Sequence, residues 1–326
     1  MKKAKRIDLF NCDCPSFLMC MPTHSNADEN NKNNSWCSAE NHTEEELTID
    51  GEAAFGQWMD LYSFLTQQGL VTIMPSPAYI EGLADHVYAA NAGMMIKDTF
   101  VVANFMSEPR RPETPVIEQF AKTLGCKVVV CPYIWEGEAE LKQVFRGDGK
   151  TTKDVYVGSY GIRSTKEAYE WMEKEFDIEI IKVENTDENC YHLDCLMFPL
   201  TISNNLKEKS NVLVCTDILK EKDLEAIKEY CNIIHVPHKL ADYGITNCVR
   251  VGSYVLCASD LDDMDPQYDG EVYYTERDKV QFLEDICSDF GMEAIFVNLS
   301  EFAKAGAMLS CNILHLNNYS YTLETV

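Results

Sequence analysis

The feature that most constrains this chain is a period. Five segments carry apolar residues at i, i+3 and i+4 spacing, the pattern of a helix with one buried face. They hold Phe55, Trp58, Leu61, Tyr62 and Leu65; Val116, Ile117, Phe120 and Leu124; Ala168, Trp171, Met172 and Phe176; Leu224, Ile227 and Tyr230; and Val280, Leu283, Ile286, Cys287 and Phe290. Each run stops at a residue suited to a left-handed cap: Gly69, Gly125, Asp177, Asn232 and Gly291. Successive caps are 52 to 59 residues apart. An apolar, β-branched run follows each cap at once (70–74, 126–131, 178–183, 232–236, 292–297), and another precedes each helix (17–21, 99–105, 154–160, 211–215, 253–257). Ser164 and Glu167 fit a capping box ahead of the third helix. Five strand–helix–strand copies imply one architecture built from a repeated unit, and continuous apolar strands imply sheets buried under helices. The expected fold is α/β, a five-fold pseudosymmetric α/β propeller, with residues 1–326 forming a single domain.

Composition narrows the function. With 46% hydrophobic and 25% charged residues the chain can build a sizeable core. A net charge of −25 argues against a nucleic-acid partner, which needs a basic footprint, and suits a small cationic substrate. No apolar run approaches the ~20 residues of a membrane helix, so no membrane partner is expected. The basic N-terminal stretch is broken by Asn11, Asp13 and Pro15 and fails as a signal peptide. The expected location is therefore cytoplasmic, with the 14 cysteines reduced. No Cys-x-x-Cys pair occurs; Cys12-x-Cys14, Cys126-x4-Cys131 and Cys190-x4-Cys195 are weak metal patterns, so neither metal nor cofactor is expected.

Residues able to do chemistry recur at one place in the repeat, the loop shortly after the post-helix strand. The five loops carry Asp85, His86 and Asn91; Glu136, Glu138 and Glu140; His192 and Asp194; Asn247 alone; and Cys311. Units related by rotation would bring these loops together at one end of an axis. Catalytic groups on loops over a rigid scaffold are the usual arrangement. Taken singly, each has a plainer reading: a packed histidine, a core cysteine, a solvated acidic loop.

Together, these motifs resemble those of the guanidine-modifying superfamily of arginine deiminases, dimethylarginine hydrolases, arginine dihydrolases and amidinotransferases, whose members share the five-bladed pentein fold. The resemblance runs over nearly the whole chain, from FLMCMPTH (17–24) to SEFAKAGAMLSCNILHL (300–316). YHLD (191–194) is similar to the family's His-Leu-Asp, WEGEAE (135–140) to its Phe-Glu-Gly-x-Gly-Asp, and DHVYAANAG (85–93) to its Asp-x-Val-Phe-Thr-Ala-Asn-Ala-Gly. NFMSEPRRPE (104–113), NSW (34–36) and GSYGIRS (158–164) resemble its Arg-x-x-Glu, Asn-Pro-Trp and Gly-x-Arg-Ser segments.

The resemblance implies hydrolysis of the guanidino group of L-arginine or an N-methylated arginine. Cys311 as thiolate would attack the guanidinium carbon. His192 would protonate the departing amine and then activate water. Glu136, Glu140 and Asp194 would hold the planar cation through paired hydrogen bonds. Arg110 or Arg163 would take the α-carboxylate. Asn34, Asp85 and Asn91 complete the implied substrate site, with the polar stretch at about 25–50 as a lid. Asn91 stands where deiminases and typical dimethylarginine hydrolases tend to carry Asp, and it looks more like the arginine dihydrolases. Two departures stand out: Ala307 replaces a family glycine before the nucleophile, and Glu140 is one methylene longer than the family Asp. Two other readings stay open, an amidinotransferase using the same cysteine adduct and a non-catalytic binding protein on the pentein fold.

Overall fold

A computed structural model describes residues 8–22, 47–76, 83–147 and 152–322. Each of the five expected units is present. Strand β1 (Ser16–Cys20), helix α1 (Gly51–Gln68) and strand β2 (Leu70–Met74) form the first, with the two strands paired in parallel. Next come β3 (Gly93–Ile96), β4 (Thr99–Val102), α2 (Glu113–Leu124) and β5 (Lys127–Val130). They are followed by β6 (Leu141–Phe145), β7 (Val155–Tyr160), α3 (Lys166–Phe176) and β8 (Glu179–Glu184). The fourth group is β9 (Met197–Pro199), β10 (Ser210–Val214), α4 (Glu221–Tyr230) and β11 (Cys231–His235), trailed by the short helix α5 (His238–Asp242). The fifth is β12 (Val249–Val251), β13 (Tyr254–Ala258), α6 (Gly270–Asp289) and β14 (Glu293–Val297).

The described residues make five three-stranded sheets of one design: an antiparallel strand, a central strand, and the parallel partner reached through the helix. The periodicity located only the parallel pair in each. The third strand is short and leads out of the chemistry-bearing loop, so it reads as loop in the sequence. In the first sheet that third strand is β15 (Leu314–His315), from the far end of the chain, pairing Phe17 with His315 and Leu18 with Leu314.

The helices sit on the sheets through their apolar stripes. Trp58, Leu61 and Leu65 pack with Phe17 and Met19; Ala168, Tyr169 and Met172 pack with Val101 and Ile180. Burying a side chain of this size contributes about 1.5–3 kcal/mol, which outweighs weak local propensity in helices as short as α4. Phe55 departs from the expected stripe: it is exposed and stacks on Trp58 instead.

Two of the five expected caps are not left-handed. Gly69 is extended, with φ −173°, and Asn232 lies inside β11 because α4 ends at Tyr230 and its cap Cys231 is already extended. Gly125, Asp177 and Gly291 take positive φ as expected. The capping box also fails. Helix α3 is capped at Thr165 without a side-chain hydrogen bond, and the Ser164 hydroxyl accepts the backbone N–H of Glu136 instead.

Short 3-10 turns follow the helix-linked strands: 89–91, 137–140, 193–195 and 310–312. Turn 89–91 touches both 137–140 and 310–312, and 137–140 touches 193–195. Gly137 permits one of these approaches, since a Cβ there would lie 2.4 Å from the carbonyl oxygen of Ala90. The fold therefore brings together loops that are far apart in sequence.

Candidate active site

A narrow cleft lies where these turns meet. Asp85, Tyr88, Asn91, Arg110, Arg163, Tyr191, His192, Ala305, Ala307 and Cys311 line it. Of the sequence-derived candidates, Asp85, Asn91, Arg110, Arg163, His192 and Cys311 stand in this one place. Asn34 and most of the 25–50 segment lie outside the described residues.

Glu136 organises one wall. It is fully buried, and its Oε2 accepts both His192 Nε2 at 2.8 Å and Arg163 Nη1 at 3.1 Å. Its Oε1 accepts the backbone N–H of Met106 at 3.1 Å. Burial alone would raise the carboxyl's pKa, but the charge of Arg163, the bond from His192 and the charge of Arg110 hold it well below the usual carboxylate range. Glu136 is thus an anion, and an anion at Nε2 places the imidazole proton on that nitrogen and leaves Nδ1 as the free acceptor. Burial pulls the His192 pKa below its ordinary value, against the bond and charge of Glu136. The ring is therefore neutral near pH 7 and able to accept a proton.

The three glutamates of WEGEAE point three ways. In a 3-10 turn each residue advances about 120°, so positions two apart are about 240° apart. Glu138 turns away from the cleft and binds His315, with Oε1 at 2.6 Å from Nδ1 and Oε2 accepting its backbone N–H at 2.8 Å. Glu140 turns beneath it, accepting the Ser159 hydroxyl and, at 3.3 Å, the backbone N–H of Leu193. Burial pushes Glu140 up to about 8, reinforced by the charges of Glu136 and Asp194 and opposed by the Ser159 bond. It is not among the residues lining the cleft. Glu140 thus lies under the turn, bonded to Ser159 and Leu193, while its implied role in holding the cation rests on the resemblance. Asp194 is also engaged elsewhere: its Oδ2 accepts the Ser310 hydroxyl at 2.6 Å, which ties the third loop to the residue before Cys311.

Cys311 sits in the 310–312 turn and is buried. Asn247, the single polar residue of the fourth loop, donates from Nδ2 to its Sγ at 3.6 Å and accepts the Ser310 backbone N–H at 2.8 Å. Burial, reinforced by the Asp194 charge, pushes the thiol up to about 12. The left-handed residue of the preceding loop is Gly306, with φ +71°, while Ala307 is not among the residues of positive φ. The loop thus forms without the missing family glycine.

The two arginines differ. Arg110 is held by Glu113 through Nε and Nη2 at 2.8 and 3.0 Å, by Asn91 Oδ1 at 2.8 Å and by the Asp85 carbonyl at 3.0 Å, over the ring of Phe105. Four of its five N–H donors are spent inside the protein. Arg163 pairs with Glu136 and stacks 4.4 Å above the Tyr191 ring. A guanidinium therefore already lies against both a carboxylate and an aromatic face in this cleft. Sequence reasoning gave no role to Tyr88 or Tyr191, and gave Asn247 little; aromatic side chains in a loop carry no periodic signal.

The family model for N,N dimethylarginine dimethylhydrolase, eukaryotic, matches residues 21–260, well over half of the chain. The chain belongs to that family. It falls within the pentein superfamily, as its motifs implied. Among curated relatives, the bifunctional arginine dihydrolase/ornithine cyclodeaminase AgrE of Nostoc sp. is 27% identical over 231 residues, 68% of this chain and 31% of its own length. The chain thus spans about a third of that relative. The N,N-dimethylarginine dimethylaminohydrolase of Mycobacterium tuberculosis is 27% identical over 146 residues, 45% of each chain. Among solved structures, the substrate-bound N-terminal domain of ArgZ, a cyanobacterial arginine dihydrolase, matches with TM-score 0.72 and 22% identity over 93% of this chain and 98% of that one. At that identity the likeness shows the fold alone, which is the α/β pentein fold.

Proposed function

We propose that this chain hydrolyses the guanidino group of L-arginine or an N-methylated arginine by covalent catalysis at Cys311. The observation that carries the reading is the meeting of Cys311, His192 and the Glu136 anion around one cleft, from three loops far apart in sequence. The family membership and the relatives named as arginine dihydrolase and dimethylarginine dimethylaminohydrolase support the same reaction class. In this reading the five sheets stand around a common axis as a single domain, and the touching turns mark one end of it.

The chemistry follows from the charges. Before substrate binds, the Cys311 thiol keeps its proton. A bound guanidinium brings a cation that favours the thiolate, and neutral His192 accepts the proton. The thiolate attacks the guanidinium carbon to give a tetrahedral adduct. The imidazolium returns its proton to the departing amine as the C–N bond breaks, leaving an S-amidino enzyme. His192, neutral again, takes a proton from water, and the hydroxide adds to the amidino carbon and releases Cys311. Glu136 steadies the transient imidazolium throughout. The substrate guanidinium would sit where Arg163 now stacks, against Tyr191, with Arg163 swinging to the substrate carboxylate.

The test is incubation of the purified chain with L-arginine, agmatine and dimethylarginine, with products identified by mass spectrometry beside a Cys311→Ser control. Ornithine with two equivalents of ammonia identifies a dihydrolase, the outcome that Asn91 favours. Citrulline from dimethylarginine identifies a dimethylargininase, and citrulline from arginine a deiminase. Turnover only with an added amine acceptor would make the chain an amidinotransferase. No turnover, together with no labelling of Cys311 by a haloacetamidine, would leave a binding protein on the same fold.

A further inference from the structure

We propose that Asp187, Cys190, His238 and Asp242 form a zinc site beside the loop that carries His192. Asp187 and Cys190 lie in the loop after β8, spaced D-x2-C. His238 and Asp242 lie on α5, spaced H-x3-D, and residues four apart share one helix face. The x2 and x3 spacings are those of structural zinc sites, with carboxylates in place of one cysteine and one histidine. The weak Cys–Cys metal patterns of the sequence do not bring these four residues together.

Three of the four residues already cluster, and Asp242 reaches two of them. Donor atoms of Asp187, Cys190 and His238 lie within 4.8 Å of one another. His238 Nε2 is 3.5 Å from Asp187 Oδ2 and 3.4 Å from Asp242 Oδ1, and Asp242 Oδ1 is 3.8 Å from Cys190 Sγ. A tetrahedron with zinc bonds of about 2.0–2.3 Å has edges of roughly 3.3–3.8 Å. The polar atoms are also oriented for a shared centre. His238 Nε2 is itself buried and makes no hydrogen bond to either carboxylate, although both are near. Asp187 spends Oδ1 on the backbone N–H groups of Asn189 and Cys190, at 2.9 and 3.0 Å, which leaves Oδ2 turned toward His238. A mixed sulfur, nitrogen and oxygen set suits zinc and not calcium or magnesium, which take oxygen. Once the thiol ionises, its charge and those of the two carboxylates total −3, against +2 on the metal.

Position gives the site a consequence. Cys190 is followed directly by Tyr191 and His192, so a metal here pins the His192 loop to α5. The inference does not depend on which guanidino compound the cleft accepts.

The test uses the full chain with Cys311→Ser in every sample, so that the nucleophile's own sulfur cannot bind metal. Zinc is titrated against a chromophoric chelator, and cobalt(II) serves as the spectroscopic probe. The expected result is one equivalent bound, with the intense visible bands of tetrahedral cobalt and a thiolate charge-transfer band. Cys190→Ser should abolish the charge-transfer band. His238→Ala should weaken zinc binding at least ~10-fold; its side chain is 43% exposed, so the metal-free melting temperature should hold, which keeps the test intact if the buried cysteine variant misfolds. No binding, binding without the charge-transfer band, or unchanged affinity in His238→Ala would overturn the site.

Discussion

One 3-10 turn sends two buried glutamates to two buried histidines, and the two pairs do different work. Glu136 meets His192 at 2.8 Å and Glu138 meets His315 at 2.6 Å. Burial raises both carboxyl groups, and their neighbours outweigh it in both, Arg163 foremost at Glu136 and His315 foremost at Glu138. The difference lies in what stands beside each pair. The first adjoins Cys311, Tyr191 and Arg163 in a narrow cleft. The second faces a cavity of about 680 Å³ lined by Lys142, Arg146 and Tyr321, which shares no lining residue with that cleft. Among the described residues, Cys126, in the bend before β5, is the one cysteine that lines this cavity. A carboxylate–imidazole pair is therefore not in itself a signature of chemistry. The nucleophile and the stacking face beside it are what distinguish the two.

The sharpest way to break this comparison is to remove the nucleophile. Cys311→Ser should lower turnover ~10³-fold or more, while leaving the circular dichroism spectrum unchanged. Exchanging the two glutamates comes next. Glu136→Gln should cut kcat about 10²-fold. Glu138→Gln should leave kcat within about 3-fold and lower stability by about 3 kcal/mol, the scale of a broken buried pair. Comparable losses of kcat in the two variants, measured at saturating substrate, would show that the pairs are equivalent and sink the assignment.

The resting thiol offers a finer test. With its pKa near 12, the thiolate fraction of Cys311 rises with pH, so alkylation by neutral iodoacetamide should accelerate ~tenfold per pH unit from 7 to 10. A cationic haloacetamidine should react faster and with a shallower slope, because its charge favours the thiolate. Identical slopes for the two reagents would mean that a cation in the cleft does nothing for the sulfur.

A pH titration of stability separates Glu140 from its two neighbours. Its folded pKa is raised to about 8, above the ordinary 4.5. The native state therefore holds a proton that the unfolded chain gives up between these values, and stability falls as pH rises from about 4.5 to 8. Glu136 and Glu138 run the other way: their folded pKa values are depressed, and their contribution is lost as pH falls below the ordinary carboxylate range. Glu140→Gln should flatten the decline in melting temperature between pH 5 and 8 and stabilise the chain at pH 8 by up to about 4 kcal/mol. An unchanged slope would show that Glu140 is ionised in the fold.

Local pattern was enough to place the five helices and the ten strands they join, because a buried stripe must repeat with the period of its own element. Leu70–Met74 shows the point, since the apolar run and the strand have the same bounds. Local pattern could not show that β15 returns to pair with β1, because two residues, Leu314 and His315, carry no periodicity. Nor could it separate Gly69, which is extended, from Gly125, which is left-handed, since both are glycines after a helix.

The sequence by itself determined the repeat, the family and most of the residues that meet in the cleft, Cys311, His192, Glu136 and Arg163 among them. Only the tertiary structure decided what each of them touches. It sent Glu138 and Glu140 away from Glu136, occupied Arg110 with Glu113 and Asn91, gave Asn247 to Cys311, and gathered Asp187, Cys190, His238 and Asp242 from two elements. The reason is physical. Burial periodicity is a property of one helix or strand and is written along the chain, whereas the environment of a charge is made by other loops, and contact across 50 to 200 residues exists only once the sheets have packed.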